Sequence, residues 1–373
     1  MPNQDPAAQS HGPDGAALLK AAAQAGGVIG DRMLETFRAQ GLIPRPSRAG
    51  YRGRAPVWRY PPGTDRQLAA LLRWRERTKD PDLLKILLWL DGFAIPPAAV
   101  RAALSRQLSA LAAIVEREIS QQALRLGLDP SRDDARSQAI DAMARTIAAR
   151  RGATPVPRRG RVRADERARA VALMVRTFGL GETLEGTAEE GAAVERVLGI
   201  APNGRRHTIV GAGPWLTGPA EDLFGAASIV GLPSLLHAVA DASETDLTAA
   251  RQTVVALFRH LPLMARMLGA VSGNDNFAGF AVLGQLDQHP ETVLFIVPMV
   301  IAMLKAGWQE NLDAITSALR LVPELAGKAH RILEMPAAEV GANLASQPAE
   351  TRESAQRIIA AAIEGHFDIG TSE

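Results

Sequence analysis

The twenty residues from Gly41 to Tyr60, GLIPRPSRAGYRGRAPVWRY, can neither extend a helix nor fill a core strand, so the segments on either side must be arranged around a surface arm. The preceding helix pattern ends at Gln40. Gly41 is a natural residue to follow a helix end, and Pro44 and Pro46 block its resumption. From Gly50 to Tyr60, aromatic and basic residues alternate around Gly53 and Pro56, which suits a short two-stranded loop. The arm carries Arg45, Arg48, Arg52, Arg54 and Arg59. A solvated loop is one reading of such a charge run, and a grip on an anionic partner is the other.

Charge distribution favours the grip. The 373 residues carry a net charge of only +2, but the near-neutrality is a sum of opposites. Residues 31–79 hold 12 Lys+Arg against 4 Asp+Glu, residues 148–169 hold 8 against 2, and residues 170–373 hold 13 against 23. A basic front and an acidic remainder point to a polyanion for the front alone. The length predicts two or three domains with a sizeable core. With no cysteine, disulfides, thiolate metal sites and cysteine nucleophiles are excluded. The start, MPNQDPAAQSHGPDG, lacks a basic then apolar run, so residues 1–14 are expected to form a disordered leader and the protein to be cytoplasmic.

Residues 15–25 read as a short alanine-rich helix, and Gly26-Gly27 breaks it. In VIGDRMLETFRAQ, residues 28–40, Ile29, Met33, Leu34 and Phe37 fall on one face of a second helix, with Asp31, Arg32, Glu35 and Arg38 on the other. Helix, tight turn, helix and basic arm is the order of a winged helix-turn-helix. After Pro61-Pro62-Gly63, Thr64 or Asp65 is positioned to cap a third helix running to about Thr78, whose Arg66, Arg73, Arg75 and Arg77 belong on a surface or a phosphate backbone. Asp80-Pro81-Asp82 starts a fourth helix, apolar on nearly all sides and stopped by Gly92.

Gly41-Leu42-Ile43 with Gly50-Tyr51-Arg52, followed by DRQLAALLRWRERTKD and a short apolar helix, resembles the DNA-binding module of MerR-type transcription regulators over residues 15–95. The resemblance implies a winged helix-turn-helix that binds double-stranded DNA, and a following helix that pairs antiparallel with its copy in a homodimer. The chain departs from that family at two places. Glu35, Thr36 and Phe37 stand where the family has arginine and paired tyrosines. GRAPVW also lengthens the wing, adding arginines that favour backbone grip over base reading. The expected DNA-binding residues are Arg32, Arg38, Arg45, Arg48, Tyr51, Arg52, Arg54 and Arg59.

Residues 97–127 form the longest amphipathic pattern, with Val100, Leu104, Leu108, Leu111, Val115 and Ile119 at steps of four and three. Self-association and an intramolecular core role both fit. The expected divisions are a connecting and dimerisation region over 96–149, a basic Pro/Gly/Arg linker over 150–164, and a larger all-helical effector or interaction domain over 165–373. Its expected helices cover 165–178, 187–198, 219–229, 232–241, 244–270 with an interruption at Pro262, 276–287, 290–306, 309–321, 324–333 and 351–364. Strand evidence outside the wing is limited to Arg206–Val210. The fold class is therefore mainly α. TVLFIVPMVIAML, residues 292–304, is too short to span a bilayer, and no membrane is expected.

Catalytic signatures are absent from the sequence. The histidines form no HExxH pattern, and Gly211–Gly218, GAGPWLTG, lacks the lysine and strand of a phosphate loop. His237 with Asp241 reads as a helix-surface pair. Asp133, Asp134 and Asp141 lie near a helix start, where acids are favoured without any metal. No catalytic residue, metal or cofactor is assigned. A small-molecule or protein effector is an expected partner of the C-terminal domain, with Ser272–Asn276, Trp215 and Trp308 as pocket candidates. The leading expectation is a DNA-binding transcription regulator. Beside it stand a helical interaction or scaffold protein whose module no longer reads DNA, and a helical enzyme on a small apolar substrate.

Overall fold

The structure is a computed structural model. It describes residues 12–52, 54–149, 163–182, 230–272, 288–334 and the positions 286, 339, 340, 345, 346, 356 and 360. It is mainly helical, and among the described residues its only sheet is one two-stranded hairpin.

Each early element follows from local sequence. Asp14 caps α1 (Gly15–Gln24), its side chain accepting from the Ala17 N–H at 2.9 Å. Helix α2 (Asp31–Ala39) buries Leu34 and Phe37. Gly41 ends it at φ 69°, where its N–H reaches the Arg38 carbonyl and the Leu42 N–H reaches Phe37. This double closure needs a left-handed residue, which glycine supplies without a Cβ penalty. Helix α3 (Thr64–Arg75) departs from expectation at its start. Gly63 occupies the cap position, and the Thr64 hydroxyl turns back to the Pro61 carbonyl at 2.7 Å. In α4 (Pro81–Leu90), Asp80 accepts from the Asp82 and Leu83 N–H groups, Pro81 opens the first turn, and all seven residues from Leu83 to Leu90 other than Lys85 are buried.

Between α2 and α3 lies the hairpin of β1 (Ser47–Arg52) and β2 (Ala55–Arg59). Ser47 pairs with Arg59, Arg48 with Trp58, Gly50 with Val57, Tyr51 with Pro56 and Arg52 with Ala55, so Ala49 is an extra residue in β1. Its base is tied to the chain start. The Tyr60 N–H donates to the Pro13 carbonyl at 2.8 Å, and Arg59 pairs with Asp14 at 3.4 Å. A Cβ on Gly12 would lie 1.8 Å from the Tyr60 carbonyl oxygen, so only glycine fits there. Residues 12–14, expected in the disordered leader, are thus part of the folded module. Inside it, the Gln67 amide donates to the Leu42 carbonyl at 2.8 Å and fixes the turn after α2 against α3.

Helix α5 spans Pro97–Arg125, and the division of the chain into two compact units falls within it, between Arg106 and Gln107. Leu286–Leu294 belongs to the first unit, where the short 3-10 turn Pro290–Thr292 meets α4. In the second unit, Ile119 and Ala123 of α5 cluster with Ala139, Ile140 and Ala144 of α6 (Asp133–Ala149) and with Val171 and Ala172 of α7 (Ala164–Met174). The helices on either side of the expected 150–164 linker, α6 and α7, share this one apolar cluster. Residues 150–162 themselves lie outside the described residues. Helix α7 continues as a π-helical turn, Val175–Leu180.

The remaining described helices are α8 (Leu232–Ala240), α9 (Glu244–Ser272), α10 (Val293–Lys305) and α11 (Gln309–Glu334). Two expected breaks are absent. Pro262 lies inside α9 and Pro323 inside α11, where helices were expected to be interrupted or to part. An internal proline removes one backbone hydrogen bond, yet α9 and α11 pack together beside both prolines, with Leu263 and Val322 buried against each other and Met264. The helices expected over 187–198, 219–229, 276–287 and 351–364, and the strand at Arg206–Val210, lie outside or almost outside the described residues.

Candidate functional site

Two groups of cations in the first unit bear on the expected interface. One sits in a cleft of about 390 Å³ beside α2, lined by Arg32, Met33, Thr36 and Phe37 of that helix, by Arg75 at the end of α3, and by Lys79 and Leu84 at the start of α4. Periodicity builds it: Leu34 and Phe37 hold α2 down, which leaves Arg32 and Thr36 outward. No carboxylate lines this cleft. Arg75 is fixed in its wall, with its guanidinium 4.9 Å from the Phe37 ring centre and Nη1 3.1 Å from the Met33 sulfur. Met33 and Arg75 also border a second cleft of about 260 Å³ under the α1–α2 turn.

The hairpin holds the other group. The Arg48 guanidinium lies 5.0 Å from the Tyr51 ring centre and donates to the Tyr51 hydroxyl at 2.7 Å. Arg45 and Arg54 are exposed in the loop before β1 and in the hairpin turn, and Arg52 pairs with Ala55 next to that turn.

Of the eight residues expected to bind DNA, two arginines are engaged within the fold. Arg38 pairs with Glu35 one turn earlier on α2, and Arg59 pairs with Asp14. Among the described residues Arg32, Arg45, Arg48 and Arg54 make no ion pair, and neither do Arg75 and Lys79. Lys79 was not singled out by the sequence. The only signal available was its place just before the Asp80-Pro81 helix start, which anchors it where α4 begins. Tyr60 is buried at the foot of the hairpin, and burial raises its pKa while nearby Arg38 works against the shift.

The other sequence candidates have ordinary partners. His237 and Asp241 form a 3.2 Å surface pair, both well exposed. Arg132 holds Asp134, and Arg176 holds Asp141 at 3.3 Å. No group of three potential ligands among the described residues could hold a metal ion. Trp308 is half-buried at the start of α11, whereas Trp215, Gly211–Gly218 and 273–276 lie outside the described residues.

The stripe expected along α5 is divided. Val100, Leu104 and Leu108 are buried toward its start and Ile119 toward its end, but Leu111 and Ile114 between them are 49% and 45% exposed. Among the described residues α5 is the one helix long and apolar enough to cross a membrane by length and composition. No protein-family model, curated protein or solved structure matches the chain.

Proposed function

We propose that the N-terminal module docks α2 and its hairpin on double-stranded DNA, and that the chain is a transcription regulator whose C-terminal helices serve self-association or an effector. One observation carries this reading: Arg32, Arg75 and Lys79 converge on a single acid-free cleft alongside α2. Cations sharing a cleft whose lining holds no carboxylate repel one another, and a row of phosphates is a partner that relieves the repulsion. The order α1, turn, α2, hairpin, α3, α4 supports the resemblance to the MerR-type winged helix-turn-helix, with α2 as the second helix of the motif. A module that no longer reads DNA and binds another protein is the second reading, favoured by the Glu35–Arg38 pair that neutralises part of the outward face of α2.

Random-sequence duplex titrated at low and physiological salt separates the two. The regulator reading expects binding that weakens steeply with salt. Replacing exposed Arg32 and Lys79 together by alanine should flatten the log–log salt slope by about 1.8, because each phosphate contact contributes about 0.9. An unchanged slope removes the cleft from the interface, and no duplex binding at either salt favours the protein partner.

Self-association belongs to the same proposal. The exposed Leu111 and Ile114 are the apolar positions of α5 that a second copy would cover. Leu111→Glu is expected to shift sedimentation from dimer to monomer without changing the helical signal. A variant that sediments like the parent would place any dimer contact elsewhere.

A further inference from the structure

The hairpin carries more than arginine. Directly opposed residues in an antiparallel pair share a face, and so do alternate residues along a strand. Trp58 and Pro56 alternate along β2, and their partners are Arg48 and Tyr51. The extra residue Ala49 resets the alternation of β1, so Arg48 and Tyr51, three positions apart, fall on one side and touch. Arg48, Tyr51, Pro56 and Trp58 therefore form one face, and all four are exposed, Tyr51 by 62% and Trp58 by 52%. Arg59 lies on the other face, bound to Asp14.

A grip on phosphates alone has no use for this face. Two large rings held open to water on a small hairpin are a standing hydrophobic cost, and arginines by themselves would hold a DNA backbone. Among the described residues, Arg48 on this face and the nearby exposed Arg45 and Arg54 make no ion pair, so an anionic partner is the one that complements the rings' surroundings. A strand that pairs negative charge with flat aromatic surfaces meets both demands, provided its bases are unstacked, because in a duplex each base face is covered by its neighbours.

We propose that the Arg48, Tyr51, Pro56 and Trp58 face is a stacking platform for unpaired bases of a nucleic-acid strand. The inference rests on the reading of the module as a nucleic-acid binder and adds the class of substrate that the hairpin itself takes. Trp58 supplies the larger ring, Arg48 presses on Tyr51 and pre-orders it, and the neighbouring Arg54 is available to a phosphate.

The test titrates the full chain with an oligodeoxythymidine and with a duplex of equal length. The expected result is that oligodeoxythymidine binds, that Trp58→Ala weakens it by about tenfold or more, and that duplex affinity falls much less. Trp58→Phe, which keeps a ring, should restore most of the loss, a rescue that a mere defect in folding would not give. Equal losses for both ligands, or no loss for either, overturn the platform. Duplex binding without oligodeoxythymidine binding overturns it too, while the proposed function stands. If neither nucleic acid binds, both fail, and Trp58-dependent capture of a proline-rich peptide would then assign the face to a protein partner.

Discussion

Leu87→Ala is expected to lower the stability of the N-terminal unit by about 3 kcal/mol. Leu87 is fully buried in α4, a helix whose neighbours Ile86, Leu88 and Trp89 are buried too, so the helix is enclosed on nearly every side. Nothing around it is free to collapse into the space a shortened side chain leaves, which places the cost in the middle of the usual 2–5 kcal/mol range for such truncations. A unit of this size has about 5–15 kcal/mol in all, so the loss is a large part of it. Urea unfolding followed through the hairpin and α3 tryptophans should show the midpoint falling with little change of slope. Leu87→Met, which conserves volume, should cost under about 1.5 kcal/mol. A Leu87→Ala variant less than about 1 kcal/mol weaker than the parent would mean that α4 is not the centre of this core.

How much of this could be read from the residues depends on the range of the interaction. Gly41, Asp80 and Pro81 announce their roles because helix caps are settled within four residues, and the structure places a double closure and a capped start there. The tie between Asp14 and Arg59 was invisible, since it joins positions 45 apart and Asp14 already looked like part of a polar leader. Pro262 and Pro323 depart from expectation for the opposite reason. Local preference, about 3 kcal/mol against proline inside a helix, says break, and only the packing of α9 on α11 overrides it. The cleft belongs to the same class. Arg75 was visible as a surface cation and Lys79 was not singled out, and their meeting Arg32 depends on how α3 and the start of α4 are set against α2, which no spacing encodes. Likewise Leu111 fell into a continuous stripe by period alone, and only the fold separates it from its buried neighbours Leu108 and Ile119.

Asp82→Asn should cost about 2 kcal/mol at neutral pH, and the loss should fade in acid. Asp82 sits in the first turn of α4, accepts from Arg106 at 2.7 and 2.6 Å and from Lys85 at 3.1 Å, and has a side chain only 15% exposed. Breaking a buried pair costs about 3–5 kcal/mol, but Arg106 is more than half exposed and can return to water, which brings the figure down. The Arg106 hydrogen bonds, with help from Lys85 against the opposing effect of burial, lower the pKa of Asp82 below its ordinary value. A carboxylate depressed in the folded state contributes its full stability above the unfolded pKa, about 3.9, and loses it as pH falls through the lower folded value. The gap between parent and Asp82→Asn should therefore be constant from pH 7 to about 5 and narrow below about 4, measured by urea unfolding at each pH. A gap that persists undiminished in acid would mean that the asparagine disturbs packing at the α4 start, and that the ion pair contributes little to holding α5 against α4.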